Sequence, residues 1–255
     1  MDITKANGAI LWQGKSRLDG SPLVAIVTGL TRPSANEKTG PMAQVFILRS
    51  DIAPLTAIAT GADAGICGDC PHRGTSDGTR NTGRTCYVTV AQSPQSVFRA
   101  FERGSYPVRT AAAVGRQLEG RSIRLGAYGD PAAVPARIWR ALVARAKSHT
   151  GYTHQWRAPM AAAYRPFLMA SVDSAAEYAT ARAAGWRSFR VRAAAEGLDV
   201  NEIACPASEE MGYRTTCERC GLCAGAGRPA KSIAIVVHGS GVRNFVTLES
   251  LRKVG

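Results

Sequence analysis

The sequence predicts an α/β protein in which parallel (βα) units repeat as a partial or full barrel, with cysteine-rich metal-binding loops set into it. Three observations lead there. Short apolar runs alternate with helix-length amphipathic segments over most of the chain, the pattern of βαβ units and a parallel sheet. Neither the Gly-x-Gly-x-x-Gly fingerprint nor a phosphate-loop Gly-Lys-Ser/Thr stands where a strand meets a helix, which disfavours a doubly wound nucleotide fold and gives nucleotide hydrolysis no support. The seven cysteines fall into two groups with none between them. A chain of 255 residues with 45% hydrophobic content buries a full core, so residues 1–255 are read as one domain.

Residues 23–28 and 44–48 read as strands, bounded by turn residues and separated by the polar Gly/Pro segment 31–41. From residue 61 to 85 the chain is rich in Gly, Asp, Thr and Cys and has no apolar period. Long loops of this kind in a compact domain usually carry function, and the first cysteine loop is placed at 61–90. Residues 87–90 read as a short strand. Ser93-Pro94 then reads as N-cap and first helical residue, with Val97, Phe98 and Phe101 on one face and Gly104 as the stop.

Further along, residues 122–127 form a strand, Gly129-Asp130-Pro131 a turn and cap, and 135–147 a helix with Ile138, Leu142 and Ala146 on one side. Strands are expected around 152–156 and at 167–171. Ser174 to Glu177 is a capping box whose helix ends at Gly185. Strands at 187–191 and 233–237 complete the sheet, and the C-terminal cysteine cluster occupies 200–228.

A net charge of +13 comes mostly from arginine, dense at 116–124, 137–145 and 182–192. Such a field favours a nucleic acid or nucleotide partner, although a solvated basic surface has the same composition. Tyr152, Trp156, Trp186 and Phe189 interleave with Arg157, Arg187, Arg190 and Arg192, a mixture suited to base stacking beside phosphate contacts. Strand alternation would instead turn half of them into the core. No stretch approaches the ~20 apolar residues of a membrane span, and the first residues lack a signal-peptide core, so no membrane and a cytoplasmic location are expected. An odd cysteine count without a secretory signal argues against a disulfide framework.

Cys205, Cys217, Cys220 and Cys223 carry the strongest chemical signal. Four soft thiolates in a polar, Gly-containing turn can surround one tetrahedral zinc or one iron-sulfur cluster. The CxxCxxC spacing with a more distant fourth cysteine favours iron-sulfur over zinc, and His238 is the alternative to Cys205. Cys67, Cys70 and Cys86 supply three thiolates, which leaves a coordination position open. An open position suits catalysis, whereas His72 could close it into a structural site. Asp130, at a strand end, is either a helix cap or a ligand-facing carboxylate. His154 is either a core histidine or a proton-transfer group. These two are the candidate catalytic residues.

A long cysteine loop ending in Cys86-Tyr87, a helix, and the strand Ile123-Arg124-Leu125 running into Gly129-Asp130 resemble the layout of phage-encoded proteins related to the radical S-adenosylmethionine enzymes. The wider pattern, with Thr39-Gly40-Pro41, Cys67 to Pro71, Gly151-Tyr152-Thr153-His154 and the terminal cysteines, is similar to a phage-encoded cysteine-cluster family over nearly the whole chain. The resemblance implies that Cys67, Cys70 and Cys86 ligate a [4Fe-4S] cluster, although their Cys-x2-Cys-x15-Cys spacing differs from the usual CxxxCxxC. It also implies that Tyr87 is the aromatic beside the last cysteine and that Gly129 and Asp130 lie near the methionine end of S-adenosylmethionine. The expected activity is that of an iron-sulfur enzyme acting on a nucleotide or nucleic acid. The alternative is a non-enzymatic, zinc-stabilised nucleic-acid-binding or accessory protein.

Overall fold

The computed structural model describes residues 6–238 together with Val242, Asn244 and Phe245. Strands β1 (Gly8–Lys15), β2 (Pro22–Thr28) and β3 (Ala43–Arg49) form an antiparallel meander. Helices α1 (Pro54–Thr60) and α2 (Ala64–Cys67), a small hairpin of β4 (Thr75–Ser76) and β5 (Asn81–Thr82), and helices α3 (Ser93–Glu102) and α4 (Ala111–Gln117) follow. The chain then alternates: β6 (Ser122–Tyr128), α5 (Ala136–Val143), β7 (Ser148–Thr150), β8 (Tyr152–Thr153), β9 (Met169–Val172), α6 (Ala175–Ala183) and β10 (Ser188–Arg192). The last described elements are β11 (Glu202–Ala204), α7 (Cys217–Cys220) and β12 (Ser232–Val236).

The larger elements make two five-stranded sheets, ordered β1-β2-β3-β6-β7 and β11-β12-β10-β9-β8. In the first, β3, β6 and β7 are parallel; the second is parallel throughout. Neither sheet closes on itself, so the full barrel is not formed. Only Gly151 separates β7 from β8, so one extended segment leaves the first sheet and enters the second. A Cβ at Gly151 would lie 2.5 Å from Leu168 and 3.2 Å from Leu125, because the seam is packed too closely for a side chain.

Continuous apolar runs explain the central strands. In β2 and β3 nearly every residue is buried, since both faces are covered. Val24, Ile26, Ile47, Leu48 and Leu125 share one hydrophobic core with Trp139 and Leu142 of α5, each worth roughly 1.5–3 kcal/mol as buried side chains. The Trp139 indole N–H donates to the Pro131 carbonyl at 2.9 Å, which fixes α5 at the end of β6.

Several expected elements differ. Residues 87–90 are not a strand, because no neighbouring strand pairs with them, and Tyr87 is half exposed. The strand expected to 156 stops at Thr153. There the Thr153 hydroxyl and the His154 N–H both donate to Asp130 Oδ2, at 3.0 and 2.9 Å, instead of continuing the ladder. The cysteine loop is not structureless, since it holds α2, a 3-10 turn at Pro71–Arg73 and the hairpin. The Ser174 hydroxyl caps α6 by accepting from the Glu177 N–H at 3.2 Å, while Glu177 accepts from the Asp173 N–H at 2.8 Å, one residue earlier than a capping box requires. Among the described residues no helix is long and apolar enough to cross a membrane.

Candidate metal centre

All seven cysteines line a single cavity of about 290 Å³ between the two sheets, and none is in a disulfide. The first group is assembled from a folded loop. Cys67 ends α2, and Gly68 turns the chain at φ +53°, where a Cβ would lie 2.5 Å from the Gln155 amide. The fully buried Asp63 carboxylate pairs with Arg73 at 2.7 Å and with Arg84 at 3.5 Å, which closes the excursion between Cys70 and Cys86. The His72 carbonyl then accepts from the N–H groups of Thr85 and Cys86, at 3.2 and 3.0 Å. The long sequence gap is thus a hairpin that returns Cys86 to Cys70. The Asp130 N–H donates to the Ile66 carbonyl at 2.6 Å, which seats α2 on the C-terminal end of β6.

The second group lies toward the opposite ends of β3 and β7. Thr216 caps α7, Gly221 ends it in a left-handed turn at φ +60°, and Cys217 and Cys220 are presented from its single turn. The Cys217 and Glu218 N–H groups donate to the carbonyls of Lys38 and Thr39, at 2.9 and 3.1 Å, and Lys147 pairs with Glu218 at 2.8 Å. Segment 31–41 therefore serves as a seat for this turn. The Cys205 N–H bonds to the Ala234 carbonyl at 2.8 Å, and Cys223 is buried beside Tyr152. Arg124 and Tyr152 line the cavity with both groups; the Arg124 guanidinium hydrogen bonds to the Tyr87 hydroxyl and lies near Cys217.

Burial raises the thiol pKa throughout. Cys67 is pushed well up by burial and by Cys70 and Cys86, Cys86 is raised by burial, and Cys223 is pushed up to about 12. Thiolates at these positions need a cation to compensate them, which suits a soft metal or cluster. Among the described residues, no three cysteine sulfurs all lie within 4.8 Å of one another. A tetrahedral zinc with ~2.3 Å bonds would set thiolates ~3.8 Å apart, whereas an iron-sulfur cluster, whose ligands sit on separate irons, takes a wider set.

His72, His154 and Asp173 meet beside the first group. Asp173 is 1% exposed; one of its oxygens lies 2.8 Å from His72 Nε2, and the other 3.4 Å from His154 Nε2. Burial alone would lower the His154 pKa, but Cys70 and Asp173 hold it well above the usual imidazole range. Burial would raise the Asp173 carboxyl, and the facing His154 and His72 imidazoles hold it far below its ordinary value.

The expected site residues separate accordingly. Asp130 is buried, with its pKa raised by that burial, and both of its oxygens are engaged, one by Ala132 N–H at 2.9 Å and the other by Thr153 and His154. It positions the ends of β6 and β8. Gly129 turns at φ +81°, where a Cβ would be 2.8 Å from Ile47. Tyr87 and His154 line the cavity, and His238 lies 2.8 Å from Lys38 Nζ at its margin.

Three of the four arginines expected to contact phosphates do not face solvent. Arg187, Arg190 and Arg192 are 8%, 1% and 5% exposed. Arg187 donates to four carbonyls, Arg190 pairs with the buried Glu202 at 2.6 Å, and Arg192 pairs with Glu210. Strand alternation turned Arg190 and Arg192 to one inner face, Arg187 is buried just before the strand, and internal acceptors replaced water. Arg157 alone is exposed, stacked 3.9 Å over Trp156 and bonded to Glu177. Sequence reasoning missed Asp173, Arg124 and Lys38. An acidic residue just past a strand's C-terminus was the available signal for Asp173. No protein-family model, curated protein or solved structure matches the chain.

Proposed function

We propose that this chain is an iron-sulfur enzyme of the radical S-adenosylmethionine type, built on a partial (βα) barrel and acting on a nucleotide or nucleic acid in a phage-infected cytoplasm. The observation that carries the reading is the placement of Cys67, Cys70 and Cys86. They line one cavity with the Gly129-Asp130 strand end, at the C-terminal ends of β6, β8 and β9, where parallel α/β folds hold their ligands. A three-thiolate donor set leaves one iron of a [4Fe-4S] cluster without a protein ligand, and bound there the cluster would supply the electron that cleaves S-adenosylmethionine.

The chain's own residues bind and orient. Gly129 lacks the side chain that would crowd the strand end, and Asp130 ties that end to β8. Tyr152 and Phe189, with ring centroids 4.6 Å apart, present aromatic faces inside the cavity for a base. Arg124 supplies a cation there for a phosphate. The four-cysteine group holds a second centre at the far end of the same cavity.

Anaerobically reconstituted, reduced protein is expected to be brown and to convert S-adenosylmethionine into methionine and 5′-deoxyadenosine. Cys67→Ala should abolish that conversion while sparing the iron of the C-terminal group. Colourless protein with stoichiometric zinc, or iron-loaded protein that leaves S-adenosylmethionine intact, would defeat the enzyme reading and leave the zinc-stapled binding protein in its place.

A further inference from the structure

We infer that His72, His154 and Asp173 form a separate mononuclear site for a divalent transition-metal ion, next to the first cysteine group and independent of what the cysteines hold. The three residues come from three segments. His72 belongs to the cysteine loop, His154 follows β8 and Asp173 follows β9, so the topology gathers them at neighbouring strand ends. Their donor atoms all lie within 4.8 Å of one another, and both imidazoles turn Nε2 toward the one carboxylate.

Hydrogen bonding alone does not account for the arrangement. Asp173 is 99% buried (1% exposed), yet its Oδ2 has no hydrogen-bond partner, and neither has Nε2 of His154 facing it at 3.4 Å. Buried polar atoms are almost always paired, so two unpartnered atoms 3.4 Å apart mark a place for a third species. A cation bound by both satisfies them together. The outer contacts are those of a ligating histidine: His72 Nδ1 is held 2.6 Å from the hydroxyl of the buried Thr85, which fixes the ring and leaves Nε2 to face inward. Phe245 stacks on His72 with centroids 5.9 Å apart, and His154 meets it edge-on at 5.5 Å, which restricts water on the ring faces.

Two imidazoles and one carboxylate are a borderline donor set. They suit Zn²⁺, Fe²⁺ or Co²⁺ and not the oxygen-seeking Mg²⁺ or Ca²⁺. The set differs in chemistry from both thiolate groups, and that difference supplies the test. Metal-free, reduced full-length protein is titrated anaerobically with Co²⁺, following bound cobalt per chain and the thiolate-to-cobalt charge-transfer absorbance. Asp173→Asn keeps the shape and hydrogen-bonding capacity of the side chain and removes its charge. It is expected to bind one cobalt fewer per chain than the wild type, with the charge-transfer absorbance unchanged. An unchanged cobalt count overturns the proposal. So does a charge-transfer loss that accompanies the missing cobalt, since the three residues would then only orient Cys70. If Asp173→Asn fails to fold by circular dichroism, His154→Gln and His72→Gln decide by the same two readouts.

Discussion

His149 on β7 has a buried Nε2 with no hydrogen-bond partner, and burial pushes its pKa down to about 4, against a smaller upward pull from the Phe167 backbone. Its folded pKa lies below the unfolded value near ~6.5, so its contribution is full above that value and is lost as pH falls toward 4. Between pH 7 and 4.5 the wild type is expected to lose about 1–3 kcal/mol more stability than His149→Gln, read from urea midpoints at both values. Equal losses would place the acid sensitivity elsewhere. At this scale the cysteines were legible because their spacing is local. Asp173 was not, since its partners His72 and His154 reach it only through the fold. Nor does any local signal announce that Arg190 will pair with Glu202 inside the second sheet.

The loop after α7 depends on one side chain. Arg187, just before β10, donates to the carbonyls of Leu222, Gly225, Ala230 and Lys231 at 2.7 to 3.0 Å, and so draws the chain around and beyond Cys223 against the second sheet. Arg187→Met would leave those acceptors without their buried donor. A loss of about 2–4 kcal/mol is expected; on the proposed two-centre reading it lowers the metal content of the four-cysteine group and leaves that of the first group unchanged. Metal analysis of this variant beside Cys67→Ala checks the separation. Among the elements, the strands at 23–28, 44–48 and 122–127 were legible from turn residues and apolar runs. Strand β1 escaped notice because Gly8 and Gly14 and its polar C-terminal half weaken the pattern. The antiparallel meander escaped for a different reason: alternation with helices predicts parallel neighbours only where helices intervene, and none lies between β1, β2 and β3.

For the molecule as a whole, the excess of positive charge persists although three expected arginines point inward. Arg116 on α4 and Arg137 and Arg140 on α5 are exposed, and these two helices pack together, with Gly115 against the Leu142 carbonyl. If this face holds nucleic acid through phosphates, binding must weaken steeply with salt, because each neutralised phosphate releases counterions. A double variant, Arg137→Gln with Arg140→Gln, is expected to lower the salt slope by about 1–2, whereas Arg157→Gln, at another site, should change it by no more than ~1. Oligonucleotide titrations at two salt concentrations test this, and an absence of binding at low salt would remove nucleic acid as the partner.

The seam at Gly151 bears on how the cavity is enclosed during synthesis. Cys67, Cys70 and Cys86 precede it and the other four cysteines follow it, so each half of the chain brings one set of thiols to a chamber that neither half encloses by itself. As the polypeptide leaves the ribosome, the earlier set emerges with the cavity still open on one side. The later set reaches the cavity only as the second half docks and shuts that side, which gives enclosure of the cavity a direction along the chain.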